Sequence, residues 1–368
     1  MKKILFVIFL IFPTTVFAQV EFSIKATKIV GNLNNPSAAA FPKGRIMKFL
    51  IAEEAGKLFW IDKDTKAANL LFDIAEGTKK VKVVDLVFHP QYEQNSRIFI
   101  AFIEAITENV DLVVNEYSTN DKASLSFHKE VLRLRQPGKK YKDFSMAIDK
   151  TENLIIALPD GAEDFDPKEQ AQDRELLWGK VIRLSIKEAD YVAPLDNPFA
   201  MEKVGKKEIF ATGFREPVDM FYDAKEDKIW LAERGADTFN ELNIVKPGAN
   251  YGWSFFEGKQ CLRMQMECSA LRVERPVFDY PFKIGKNISI SPVYRGTKNI
   301  GIDGFLIVSN SDTGVSWLIK QNLEGKIEQH GLKISDPSVR FESYFADSAG
   351  ELYSYTKEGV FSLTIEHQ

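Results

Sequence analysis

Cysteine, histidine and charge of either excess sign are scarce in this chain. Only two cysteines occur, Cys261 and Cys268, and they share one loop. Their spacing is not CxxC and the four histidines lie elsewhere, so the expectation is a local disulfide formed in an oxidising compartment rather than a redox or metal pair. Basic residues number 48 and acidic residues 52, for a formal net charge of −4 with the signs interspersed. No extended basic patch is available to a nucleic-acid backbone, and the short run Lys79, Lys80, Lys82 reads as a solvated loop. Beyond the first residues no segment approaches the roughly 20 apolar residues of a membrane-spanning helix.

What is present is the composition of an ordinary globular protein: 45% hydrophobic and 27% charged over 368 residues, which speaks against disorder and allows one large domain or two small ones. Lys2 and Lys3 precede the apolar run Ile4 to Phe12, and Val16-Phe17-Ala18 precedes a cleavage point. Residues 1–18 therefore read as a signal peptide and 19–368 as a single exported domain, periplasmic or secreted.

One pattern recurs along the rest of the chain: an apolar strand, a polar turn and a second apolar strand. It appears as PSAAAF with KFLIAEEAGKLFWI, VVDLVFHP with RIFIAF, FSMAID with NLIIAL, PVDMFYD with KIWLAE, ISISPVYRG with GFLIVS, and FESYFAD with ELYSYT. Strand density with little helical periodicity predicts an all-β fold, a six-bladed β-propeller of four-stranded antiparallel blades. The segment FSIKATKIV is expected to complete the last blade. A pair of β-sandwiches would require a linker or composition break, and none is evident. Trp60, Trp178, Trp230 and Trp317 fall in or beside these strands, where blade packing is the expectation; Trp253 is open to either packing or ligand stacking.

The richest stretch runs from Glu208 to Gly258. PVDMFYD and KIWLAE pair as a hairpin across the charged turn AKEDK, NELNIV follows as a strand, and GANYGW closes the unit with two glycines suited to positive φ. In order and spacing, GFREP, IWLAE, NELN and NYGWS resemble GLRNP, LWVGD, EEIN and NYGWP of the soluble pyrroloquinoline quinone-dependent aldose sugar dehydrogenases, the glucose/sorbosone dehydrogenase family. VVDLVFHPQYEQNSRIFIAF, DRELLWGKVIRLS, PLDNPF and ELYSYTKEGVFSL are similar to further segments of that family, so the resemblance covers nearly the whole chain after the signal peptide.

The resemblance implies oxidation of an aldose at its anomeric carbon, with hydride transfer to pyrroloquinoline quinone, a histidine as general base and calcium at the quinone. The family's histidine opens an HxGGRL-type motif; the matching residues are Tyr141-Lys142-Asp143-Phe144-Ser145-Met146, so Tyr141 stands at the base position. The family's aspartate maps to Asp160 in ALPDG and its cofactor-facing arginine to Arg215, with Glu216 in place of asparagine. Gly235 and Ala236 occupy the place of a Gly-Pro whose carbonyls face a cofactor-bound calcium. Glu241 and the carbonyl of Tyr251 match a second calcium position, suitable hard-oxygen ligation. A later family arginine is replaced by Val315. His89, in FHPQY, is expected to be structural, and His128, His330 and His367 to be exposed.

Two readings remain open. One is an exported quinone-dependent sugar dehydrogenase, with a small-molecule sugar and an electron acceptor as partners and with Tyr141 or Asp143 replacing histidine. A phenol, with its ordinary pKa near 10, is a poor base at neutral pH unless a cation lowers it. The other is a propeller that has lost catalysis and serves as a calcium-stabilised sugar- or protein-binding module.

Overall fold

The computed structural model describes residues 20–76, 80–106, 109–120, 124–137, 142–162, 164–187 and 190–367. The expected signal peptide, 1–18, lies outside the described residues.

Each repeat found in the sequence is an antiparallel strand pair, and further strands extend it. The first sheet orders Pro36–Ala40, Lys48–Glu53, Lys57–Asp62 and Ala68–Asp73; the second orders Lys80–Phe88, Arg97–Ile106, Asn109–Asn120 and Ser124–Arg135. The third contains Ser145–Ile148, Asn153–Ala157, Lys180–Ser185 and Ile209–Thr212. The fourth contains Pro217–Asp223, Lys228–Glu233, Phe239–Val245 and Phe278–Pro281. Among the described residues no helix is long and apolar enough to cross a membrane.

The expectation of six separate four-stranded blades requires correction. The last two repeats are not separate sheets but parts of one eight-stranded sheet, ordered Ile288–Ile290, Leu306–Asn310, Ser316–Gln321, Ile327–Ile334, Val20–Gly31, Gly359–His367, Leu352–Thr356 and Ser343–Ala346. The cause is the N-terminal strand. It pairs antiparallel with the C-terminal strand, Ile24 opposite Ile365, and also parallel with Ile327–Ile334, Ile24 opposite Ile334. With both edges of Val20–Gly31 paired, the ladder continues from one repeat into the other, and the architecture is an all-β propeller of four four-stranded sheets plus this eight-stranded sheet.

Apolar cores lie between neighbouring sheets. Leu50, Leu58 and Trp60 of the first meet Ile98, Ile100 and Val113 of the second; Leu112 and Val114 meet Ile156 and Ile182 of the third; Ile155 and Val181 meet Met220 and Leu231 of the fourth. Trp230 and Leu242 pack on Leu306 and Val308, and Phe345 and Tyr353 of the eight-stranded sheet return to Phe49 and Ile51 of the first. Burial of one such side chain contributes about 1.5–3 kcal/mol. This circuit of cores holds the sheets around one axis.

Polar side chains stitch the strands nearest that axis. Asp85 accepts from Ser145 Oγ at 2.9 Å and from the Met146 N–H at 2.7 Å, and Ser145 Oγ accepts from the Met220 N–H at 3.0 Å. Asp219 accepts from the Ile290 N–H at 3.0 Å and from Ser343 Oγ at 3.1 Å. Tyr355 donates to the Ser37 carbonyl at 2.5 Å. Each bond crosses between strands of different repeats, satisfying buried groups that have lost water.

Candidate functional site

Three loops converge beside the third and fourth sheets. Strand Asn153–Ala157 runs into Leu158-Pro159-Asp160-Gly161, and Asp160 is fully buried. Its backbone N–H donates to the Arg215 carbonyl at 2.9 Å, tying the loop to the GFREP turn. Its Oδ1 forms an ion pair with Lys142 Nζ and accepts from the Ala162 N–H at 3.0 Å, while Oδ2 accepts from Trp253 Nε1 at 2.7 Å. Burial pushes the Asp160 carboxyl above its ordinary pKa, and the Lys142 ammonium opposes that shift.

Arg215 forms the second part. Its guanidinium donates to Glu216 at 3.1 Å, to the Arg234 carbonyl at 3.1 Å and to the Gly235 carbonyl, and it lies 5.7 Å from the Trp253 ring centre. Glu216 also takes Arg234 at 2.8 Å, so the residue that replaces the expected asparagine balances two arginines. Arg215 Nε and Arg234 Nε are buried without a hydrogen-bond partner among the described residues. Gly235 is required here because a Cβ would run into the Phe239 carbonyl and the Glu257 carboxylate.

The third part is a row of carboxylates set by strand register. Glu233 lies opposite Glu241, and Glu241 lies opposite Asp279. Glu233 accepts from the Arg215 N–H. Glu241 accepts from the Gly258 N–H and from Asn243 Nδ2 at 3.2 Å. Burial, with the nearby charge of Glu241, holds Glu233 well above the usual carboxylate range. Glu241 is pushed up to about 7 by burial, reinforced by Glu257 and Asp279. Glu257 accepts three backbone N–H groups on Oε1, from Asp237, Thr238 and Phe239, and its buried Oε2 has no partner among the described residues.

Hard oxygen donors of this kind suit calcium chemically. Among the described residues, however, no group of three or more His, Cys, Asp or Glu side chains could hold a metal ion, so backbone carbonyls would have to complete a site. The Tyr251 ring is stacked on Phe214 at 4.7 Å, and its hydroxyl donates to the Ile244 carbonyl at 2.6 Å. Ala236 is half-buried in the loop after Gly235. Tyr141 lies outside the described residues.

At the axis a cavity of about 320 Å³ is lined by Lys82, Arg234 and Lys357 together with Glu54, Asp143 and Glu342. Lys82 is not part of a solvated loop: it sits in strand Lys80–Phe88 and pairs with Asp143 at 2.6 Å. The cavity falls within the size range of small-molecule sites, and with Asp219 included its lining sets these three cations beside four carboxyl groups.

Asp160, Arg215, Gly235 and Glu241 are thus brought into one connected region, with Glu233 as the link between Arg215 and Glu241. Sequence reasoning missed Lys142 and Glu233. Lys142 gave no signal because its partner lies 18 residues on in another loop, whereas Glu233 could have been found by aligning KIWLAE against NELNIV in antiparallel register. Trp253 is resolved as buried and hydrogen-bonded. His89 is buried, its Nδ1 accepting from the Gln91 N–H at 3.1 Å, the structural role expected. Cys261 and Cys268 form a disulfide.

Known proteins resemble this chain in sequence and in fold. The Glucose / Sorbosone dehydrogenase family model matches residues 33–340. The chain is 28% identical over 175 residues to an aldose sugar dehydrogenase of Escherichia coli (strain K12), covering 46% of this chain and 45% of that protein. It is 23% identical over 252 residues to quinoprotein glucose dehydrogenase B of Acinetobacter calcoaceticus, covering 61% and 51% respectively; the matched portions span about half the length of these relatives. The structure of the PQQ-bound form of aldose sugar dehydrogenase from Streptomyces coelicolor superposes with a TM-score of 0.73 at 17% identity, over 95% of this chain and 100% of that one, a likeness of fold. With the family model spanning most of its length, the chain belongs to the glucose/sorbosone dehydrogenase family.

Proposed function

We propose that this protein is an exported quinone-dependent sugar dehydrogenase that oxidises an aldose at its anomeric carbon. The observation that supports this most directly is the linkage of Asp160, Arg215 and Gly235: a backbone bond joins the first two at 2.9 Å, and the Arg215 guanidinium grips the Gly235 carbonyl. Arg215, Gly235 and Ala236 would hold pyrroloquinoline quinone, and Glu241 with the Tyr251 carbonyl would hold calcium. When bound, the quinone supplies the two-electron acceptor and calcium the positive charge beside it. The protein's own part is to orient the sugar, exclude water and accept the hydroxyl proton, for which Tyr141 and Asp160 are the proposed residues. Asp160 is already engaged on both oxygens, so it acts as a support and Tyr141 as the contacting group.

A specific observation favours a second reading. Glu216, in place of the family's asparagine, accepts from the Arg215 guanidinium at 3.1 Å and tyrosine replaces the base, a combination suited to a binding module without turnover. Reconstitution of purified protein with quinone and calcium, followed by dye-linked oxidation of an aldose panel, separates the two. Turnover above the quinone-free blank is expected. Quinone binding without turnover would favour the binding module, and absence of quinone binding would overturn the dehydrogenase reading.

A further inference from the structure

We infer that Lys142 is a positioning residue for this site: its ammonium group holds the Asp160 carboxylate in the orientation that fixes the Trp253 indole beside Arg215. The inference rests on the reading above that Arg215 and Gly235, beside Asp160, would receive the quinone.

Lys142 and Asp160 are both buried, 4% and 0% exposed. Neither charge would persist there alone, and removing one partner of such a pair leaves the other uncompensated. The carboxylate divides its work: Oδ1 takes Lys142 and the Ala162 N–H, whereas Oδ2 takes the Trp253 indole N–H. The far side of Trp253 is held as well, its carbonyl accepting from Gln172 Nε2 at 2.6 Å. Between these anchors the indole faces Arg215 at 5.7 Å and Phe165 at 5.9 Å. Among the described residues the charged groups that interact with Asp160 include Lys142 and, across the Arg215 backbone, Glu233, whose own pKa is raised in part by Asp160. Lys142 is therefore the cation that compensates Asp160. Without it the carboxyl would bind a proton, become a donor, and lose strength as an acceptor for the indole.

The test uses the full chain as parent, Lys142→Met and the neutral pair Lys142→Met/Asp160→Asn, with Trp253 emission isolated by subtracting Trp253→Phe. Emission is followed from pH 5 to 9 and pyrroloquinoline quinone affinity is measured by titration at pH 7. In Lys142→Met the emission should acquire a one-proton transition absent from parent and double variant. Quinone affinity should fall at least about ten-fold in the single variant and return to within about three-fold of parent in the double, since the carboxamide introduced by Asp160→Asn still accepts from the indole. If Lys142→Met shows the parent emission profile and affinity, the inference is overturned. A folded double variant that binds as weakly as the single would also overturn it, because Lys142 would then touch the ligand itself. Should Lys142→Met fail to fold, the double variant is compared with the parent alone, and a loss of ten-fold or more in the double overturns the inference. If the parent binds no quinone, the proposed function falls, while the emission transition still decides whether Lys142 governs Asp160.

Discussion

The charge of Asp85 helps keep a proton on Asp219: both residues are half-buried near the propeller axis, and each carboxyl accepts a backbone N–H from the next repeat. Burial is the larger cause in each case, pushing Asp85 up to about 6 and Asp219 up to about 8 from an ordinary value of 3.8.

A folded state that retains protons released by the unfolded chain loses stability as pH rises. The contribution of these two acids is greatest at and below pH of about 4, declines between there and about pH 8, and levels off above. Asp219→Asn should remove the upper part of that decline, on the order of 1–3 kcal/mol. Urea midpoints of parent and variant from pH 5 to 9 check this, and parallel curves would show that Asp219 does not titrate in the window.

Gly235→Ala should destabilise the protein by about 1–3 kcal/mol through overpacking, since the added methyl meets the Phe239 carbonyl and the Glu257 carboxylate. Gly44→Ala, where nothing among the described residues lies within 4 Å but φ is +87°, should lose only about 1 kcal/mol by backbone strain. Chemical denaturation of both variants tests the contrast, and equal losses would remove the steric argument for Gly235.

Calcium is expected to raise the melting midpoint of the parent by mass action on the native state, and Glu241→Ala should abolish that increment. Melting with calcium and with chelator on both proteins is the measurement. Four identical midpoints would sink the assignment of Glu241 as a ligand.

Tyr141→His should increase quinone-dependent aldose oxidation if proton abstraction limits the parent, because a placed general base is typically worth about 10² to 10⁴ in rate. Turnover and quinone affinity are measured together in parent, Tyr141→His and Asp160→Ala. A parent that turns over rapidly and is slowed by the histidine would show that the chain already has an effective base.

By itself the sequence determined the strand pairs, since alternating apolar residues between polar turns specify a hairpin locally, and it carried the family through GFREP, NELN and NYGWS. The positive φ of Gly248 and Gly252 in GANYGW was legible for the same local reason. The site was legible only as positions: Asp160, Arg215, Gly235 and Glu241 could be marked, but not the partners that set their charge. The tertiary structure decided that Val20–Gly31 joins two repeats into one eight-stranded sheet, because both of its edges find partners more than 300 residues away. It also decided that Lys142 answers Asp160, that Lys82 answers Asp143, and that Glu233, Glu241 and Asp279 share one register. A buried charge is stabilised by whichever group lies within a few ångströms after folding, and that distance is a property of packed sheets rather than of spacing along the chain.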